Sequence, residues 1–344
     1  MAAGQRPISV LIVDDSMVYR EVIERGITSD PQIVVVASAG DPFDARDKLL
    51  RYRPDVMLCD IEMPRMNGIA FIRRLMPQYA LPVIVVSSIS DAVLDALHAG
   101  AVEFVLKPDI RSVQAVARFV PELIRKIKMA SLSTVRHDGP SAPKAVQPVA
   151  AIQSSYSKEQ IVAIGASTGG IEAIDTLLRS LTPQMPGIVI VQHIPPTFSR
   201  MFAERLDASL PFAVREARDG DLVERGQVLI AAGDAHMELV KSGARFKVRC
   251  YSGPKVNGHC PSVDVLFQSV AQQAGAASIG VLLTGMGYDG ARGLLAMRRR
   301  GARTLAQDEA SSVIYGMPKA AYELGAAEQQ VPLQQMGQTI LSML

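Results

Sequence analysis

Residues 8–15 read ISVLIVDD. An unbroken apolar run that stops on two aspartates fits a strand buried on both faces. The same form returns downstream as IVVVASA (33–39), DVMLCD (55–60), VIVVSS (83–88) and EFVLK (103–107). Helical patterns fall between these runs, over Met17–Thr28, Asp44–Arg53 and Gly68–Met76. Strands that alternate with helices pair in parallel, and right-handed crossovers place the helices on both faces of the sheet. The expectation is a doubly wound α/β domain that binds ligands beyond the carboxyl ends of its strands.

Such a domain accounts for only part of the chain, whose 344 residues suggest two domains at roughly 150 residues each. A net charge of +2 argues against a generic nucleic-acid binder, which carries a basic excess. Cys59, Cys250 and Cys260 have no C-x-x-C spacing, which argues against a disulfide scaffold or a structural zinc site. No apolar run is long enough to span a bilayer. The opening MAAGQRPISV lacks a basic segment followed by an apolar core, so a cytoplasmic protein is expected. The segment 131–157, SLSTVRHDGPSAPKAVQPVAAIQSSYS, has linker composition. Before it, RSVQAVARFVPELIRKIKMA (111–130) reads as a helix bent or broken at Pro121. The expected organisation is a domain over 7–125, a linker over 126–157 and a second domain over 158–344.

Polar residues stand at four strand ends of the first domain: Asp14 and Asp15, Asp60, Ser87, and Lys107 followed by Pro108. Clustered carboxylates suit a hard cation such as Mg²⁺. A lysine and a hydroxyl beside them suit a phosphoryl group. A lone aspartate at a strand end is usually a turn residue, but four such sites at one sheet edge are not explained by turns. With VDDS, DIEMPRMNG, VSS and the KP pair, residues 7–125 resemble the receiver domain of response regulators, a flavodoxin-like fold. The resemblance implies Asp60 as phospho-acceptor. It implies Asp14, Asp15 and Asp60 as the Mg²⁺ site, with the backbone of Glu62 as a further ligand. Ser87 and Lys107 would sense the phosphoryl group. Ser87 stands where many receivers have Thr, and Phe104 where many have Tyr.

The second domain again alternates strands and helices and lacks the pattern of a helix-turn-helix reader. IVAIGAS (161–167) runs into a helix, and Gly165–Gly169 fits G-x-S-x-G, which holds a serine hydroxyl exposed on a strand-to-helix bend. Taken alone, this pattern serves equally as a glycine-rich anion-binding turn. GIVIVQH (187–193) ends at His193, and SIGVLLTG (278–285) opens into Met286-Gly-Tyr-Asp289-Gly. If these strands are parallel, Ser167, His193 and Asp289 face one crevice. They are then the nucleophile, base and orienting acid of acyl transfer. Asp264 and Asp308 are rival acids. His259 and Cys260 are neighbours whose side chains point to opposite faces of an extended segment. His236 reads as structural or as part of the rim, at the start of a hairpin that turns at Ser242-Gly243.

At IGASTGG, VQHIP, HCPSVDVLFQSV, LLTGMGYDGARGL and TLAQDEASSVIYGMPKAAYELGAA, residues 158–340 resemble the catalytic domain of the chemotaxis protein-glutamate methylesterases, here a Rossmann-like serine hydrolase domain. The resemblance implies Ser167, His193 and Asp289 as the triad, with Thr168 and the Met286 N–H near the oxyanion. It implies a phosphorylation-activated esterase and deamidase acting on methyl-accepting chemotaxis receptors. A chemotaxis histidine kinase would be the phosphodonor, and the esterase chemistry would need no cofactor. Cys260 departs from the family, which often carries Arg there. The alternative is a receiver-controlled serine hydrolase acting on a different protein ester or amide.

Overall fold

A computed structural model describes residues 6–88, 91–134 and 160–344. The chain divides into two compact units, Met1–Ala142 and Pro143–Leu344.

The first unit has five strands: β1 (Ile8–Val13), β2 (Ile33–Ala39), β3 (Val56–Cys59), β4 (Val83–Ser87) and β5 (Glu103–Leu106). They alternate with α1 (Met17–Ile27), α2 (Pro42–Tyr52), α3 (Gly68–Leu75), α4 (Asp91–His98) and α5 (Val113–Ala130). All neighbouring strands pair in parallel, in the order β2-β1-β3-β4-β5. The chain reverses direction across the sheet between β1 and β3, so the carboxyl ends of these two strands flank the crevice where such folds bind ligands. Side-chain caps start the helices where the sequence supplies them: Ser16, Asp41, Asn67 and Ser112 each accept a backbone N–H in the first turn.

Helix α5 corrects one expectation and narrows another, being unbroken at Pro121. It runs through Pro121 as one helix, and it reaches Ala130, so residues 126–130 belong to the first unit and not to a linker. The physical reason is burial: Phe119, Leu123, Ile127, Met129 and Ala130 are buried along the helix. That packing outweighs the hydrogen bond a proline removes. The rest of the expected linker, from 135 on, lies outside the described residues, as do 158 and 159 of the second domain.

The second unit is built on a seven-stranded parallel sheet. Its elements begin with β6 (Ile161–Ala166), α6 (Gly170–Arg179), β7 (Gly187–Gln192) and α7 (Pro196–Ser209). Then come β8 (Ala213–Glu216), β9 (Leu222–Val223), β10 (Gln227–Ile230), β11 (His236–Ser242), β12 (Arg245–Tyr251) and α8 (Val263–Gln273). The chain closes with β13 (Ser278–Leu282), α9 (Ala291–Arg299), β14 (Arg303–Gln307), α10 (Met317–Glu323), β15 (Gln329–Val331) and α11 (Leu333–Met343). The sheet order is β15-β14-β13-β6-β7-β10-β8. From β6 the chain winds one way through β7, then returns to β13 on the other side, so β6 stands at the topological switch point.

A three-stranded antiparallel sheet, β11-β12-β9, is added to the doubly wound plan. Its β11–β12 hairpin turns where Ser242 pairs with Arg245. Helix α8 packs its Leu266, Phe267 and Val270 into the main core with Leu294 and Met297 of α9. Phe267 is fully buried. Phe267→Ala is expected to remove about 3–5 kcal/mol from the second unit. The change should appear as a lower midpoint of its urea transition with the slope retained.

Candidate active site

The three strands that carry the expected triad are adjacent, in the order β13-β6-β7. Ser167 follows the central strand, His193 follows one neighbour, and Asp289 lies in the loop after the other. His193 Nε2 is 2.8 Å from Asp289 Oδ2, and the two side chains are only 8% and 1% exposed. An ionised carboxylate only accepts, so Nε2 carries a proton, and in the neutral form of the ring the lone pair is on Nδ1. That Nδ1 is buried and has no hydrogen-bond partner among the described residues. A bare imidazole nitrogen on the residue whose N–H bonds Ala166 O, next to Ser167, is the kind of proton acceptor that acyl transfer requires.

Asp289 is held from several sides. Its Oδ1 accepts from Asn257 Nδ2 (2.8 Å), Ser262 Oγ (2.8 Å) and the Asp264 N–H (3.3 Å), and its Oδ2 also accepts from the Val263 N–H (2.7 Å). Ser262 is the N-cap residue of α8, but its own side chain makes no capping bond to the helix. Asp289 therefore caps α8 from a distance, and the positive end of the helix favours its charge. Burial acts to raise the Asp289 carboxyl, but the donors, led by His193, outweigh it and hold the group well below the usual range.

Ser167 stands on a strand-to-helix turn, as expected, but is buried and only 8% exposed. It is also absent from the residues with positive φ; that angle falls on Gly169, at 77°. The turn is fixed by long-range bonds. The Ser167 N–H donates to Thr284 O (3.0 Å). Gln192 Nε2 donates to both Ser167 O (2.9 Å) and His193 O (3.1 Å), tying the two residues together. A Cβ on Gly285 would lie 2.7 Å from Ser167 Cβ, so only glycine permits this approach. Thr168 is buried. Met286 is 40% exposed, and its N–H meets no acceptor among the described residues.

The first unit carries a second cluster. Oxygens of Asp14, Asp15 and Asp60 lie within 4.8 Å of one another. Lys107 Nζ is 2.7 Å from Asp14 Oδ2 and 2.7 Å from Asp60 Oδ2. Asp14 Oδ2 is buried against the Lys107 ammonium, and a carboxylate oxygen with one such donor keeps a lone pair that a hard cation can use. Burial pushes the Asp60 carboxyl up, with Asp14 adding to this and Lys107 opposing it. Lys107 is shifted up in turn, because the two carboxylates outweigh its burial. Ser87 is buried at the end of β4. The exposed Glu62 side chain accepts from Ser88 Oγ (3.0 Å), while its backbone N–H supports Asp60.

Comparison with known proteins agrees with this geometry. Residues 162–340 match the family model described as CheB methylesterase, and residues 10–118 match the response regulator receiver domain. The chain is 53% identical to protein-glutamate methylesterase/protein-glutamine glutaminase 2 of Syntrophomonas wolfei, over 98% of each chain. It is 46% identical to the protein of the same name in Pseudomonas aeruginosa, over 97% of this chain and 96% of that one. The chain belongs to the CheB methylesterase family. A solved Thermotoga maritima CheB methylesterase catalytic domain superposes with a TM-score of 0.53 at 35% identity, covering 54% of this chain and 98% of that one.

Within this methylesterase unit the rival residues fall into place. Asp308 Oδ1 accepts from the N–H and hydroxyl of Ser311, a local turn bond. Asp264 bonds to the Gly293 N–H and Asn257. His236 is 1% exposed and holds Pro254 O and the Ser262 N–H, so it is structural and not on a rim. His259 is not merely a neighbour of Cys260. It stacks on His193, with ring centroids 3.7 Å apart and planes within 5°. The sequence reading also omitted Gln192, Thr284, Asn257 and Ser262. Only the tripeptide Gln192-His193-Ile194 and the Asn257-Gly258 pair carried any local signal.

A carboxyl held low in the folded state contributes stability above its unfolded value, and this is lost as the pH falls through the folded value. Asp289→Asn should therefore unfold more readily than the parent at pH 7. Calorimetry of the second unit should show the gap narrowing as the pH is taken below about 4.

Proposed function

We propose that the second unit hydrolyses γ-glutamyl methyl esters on chemotaxis receptors, releasing methanol, under the control of phosphorylation at Asp60. The single observation that carries the reading is the His193–Asp289 pair, with its Nδ1 bare, beside the Ser167 turn. The names of its full-length relatives support the substrate class.

Ser167 Oγ attacks the ester carbonyl and gives its proton to His193 Nδ1. Asp289 holds the ring in the required tautomer and stabilises the imidazolium. The Met286 N–H and Thr168 face the developing oxyanion, a contribution worth about 10²–10³ in rate per donor. His193 returns the proton to the departing methoxide, leaving a glutamyl ester on Ser167. Water then attacks, again through His193, and frees the glutamate and Ser167. A glutamine side chain follows the same course with ammonia leaving, so deamidation is the second activity.

In the first unit, Asp60 accepts the phosphoryl group from a histidine kinase of the chemotaxis system. Asp14, Asp15 and Asp60, with the backbone of Glu62, would hold Mg²⁺, which when bound neutralises charge on the phosphoryl oxygens. Lys107 and Ser87 then contact the new group. Phosphorylation adds about −1.5 to −2 charge and three acceptor oxygens. A complete switch of an inactive-to-active ratio from 99:1 to 1:99 needs about 5.5 kcal/mol of bias, and a partial shift needs less. Among the described residues no helix is long and apolar enough to cross a membrane; the proposed site of action is the cytoplasmic part of the receptor.

Methanol release from methylated receptor tests this. Ser167→Ala should remove the release, by about 10⁴-fold or more. Addition of acetyl phosphate and Mg²⁺ should raise the wild-type rate, and Asp60→Asn should abolish that rise. No release from folded wild type under any of these conditions would overturn the methylesterase reading.

A further inference from the structure

The segment between β12 and α8 contains a tight turn, Val256-Asn257-Gly258-His259. Val256 and His259 exchange both backbone hydrogen bonds, each 2.9 Å. Asn257 and Gly258 take φ of 52° and 84°. Two successive positive φ values define the two-residue turn that favours Asn-Gly. Glycine at 257 would serve that turn as well as asparagine does. The side chain of Asn257 is thus not needed for the turn itself.

That side chain nevertheless has two specific partners. Asn257 Nδ2 lies 2.7 Å from Asp264 Oδ2 and 2.8 Å from Asp289 Oδ1. Both carboxylates are buried, 2% and 1% exposed. One amide nitrogen thus places a hydrogen on each of two buried acids that repel one another. At the other end of the same turn, His259 lies flat on His193. One four-residue turn touches both the acid and the base of the triad.

We propose that Asn257 is a positioning residue for catalysis: its amide fixes the rotation of the Asp289 carboxylate so that Oδ2 faces His193 Nε2. The inference rests on the triad assignment above. Without the amide, Oδ1 keeps Ser262 Oγ and the longer Asp264 contact, and the carboxylate is free to turn towards its remaining donors. His193 then samples ring orientations other than the one its bond to Oδ2 fixes. Asn257 touches neither substrate nor the reacting atoms; it acts through Asp289.

The test uses the full chain as wild type, Asn257→Gly, Asp289→Ala and the double variant. Two readouts are taken: methanol release from methylated receptor, and the rate at which a fluorophosphonate probe labels Ser167. Thermal melting checks that each protein is folded. Asn257→Gly should lower kcat and the labelling rate by about 10- to 100-fold, the range expected when a hydrogen bond to a charged group is lost. KM should stay within about two-fold of wild type, because only positioning is lost. In the Asp289→Ala background the same substitution should cause no further loss, since residues that act as a unit are not additive. Wild-type kcat and labelling in Asn257→Gly, an effect on KM alone, or an equal loss without Asp289 would each overturn the inference. If Asn257→Gly does not fold, Asn257→Asp keeps the size and turn preference while removing the donor. Wild-type labelling of that variant at pH 7 would overturn the inference equally. The probe needs no natural substrate, so labelled wild type that releases no methanol overturns the methylesterase reading alone.

Discussion

The catalytic unit depends on one buried carboxylate. A carboxylate taken out of water costs several kcal/mol unless its lone pairs are satisfied. Asp289 meets that condition with donors from four places: His193 after β7, Asn257 in the turn before α8, the cap residue Ser262, and the first N–H groups of α8 itself. Each bond serves two purposes. It stabilises the charge, and it fixes the distance between elements that are remote in sequence. Helix α8 lacks a cap of its own because Asp289 supplies it from the loop after β13. Activity and local stability are therefore joined at this residue.

The first unit solves the same problem differently. Asp14 and Asp60 are as buried as Asp289, but besides backbone N–H groups they share a full positive charge, the Lys107 ammonium. Lys107 bridges two carboxylates, so the site is a charge cluster in which any added charge changes every pair. Asp60 is pushed up and Asp289 is held down. The difference fits the roles proposed for them. A phospho-acceptor must exchange partners when it is modified, whereas the orienting acid of a triad must stay ionised and still.

The scaffold was largely legible in the sequence, for a physical reason. Strands buried on both faces appear as continuous apolar runs, and the polar residue that ends each run marks the ligand-binding edge. That logic locates Asp14, Asp60, Lys107, Ser167 and His193 from local pattern alone. It places Asp289 less directly, because a glycine-rich loop separates it from β13. It leaves a bend or a break open at Pro121, where tertiary burial keeps the helix unbroken across a local breaker. It fails for Gln192, Thr284 and Asn257, whose hydrogen bonds span 25, 116 and 32 positions in the chain. No periodicity records a bond between two loops. His259 was visible only as a neighbour of Cys260, and its stacking on His193 depends on a turn that sequence reading did not single out.

The antiparallel sheet explains where these missing parts come from. A doubly wound sheet delivers one residue per strand end, enough for a nucleophile, a base and an acid but not for the groups that hold them. The β11–β12 hairpin interrupts the α/β alternation and ends at Tyr251, and from there the chain passes directly through Asn257, His259 and Ser262 to α8. Residues 252–262 are thus a second layer laid over the sheet edge, anchored by His236 to Pro254 and Ser262. The parallel sheet brings Ser167, His193 and Asp289 to one edge, and this inserted segment bonds to Asp289 and stacks on His193. Variation in the segment can retune the site while leaving the triad in place, and Cys260 lies within it.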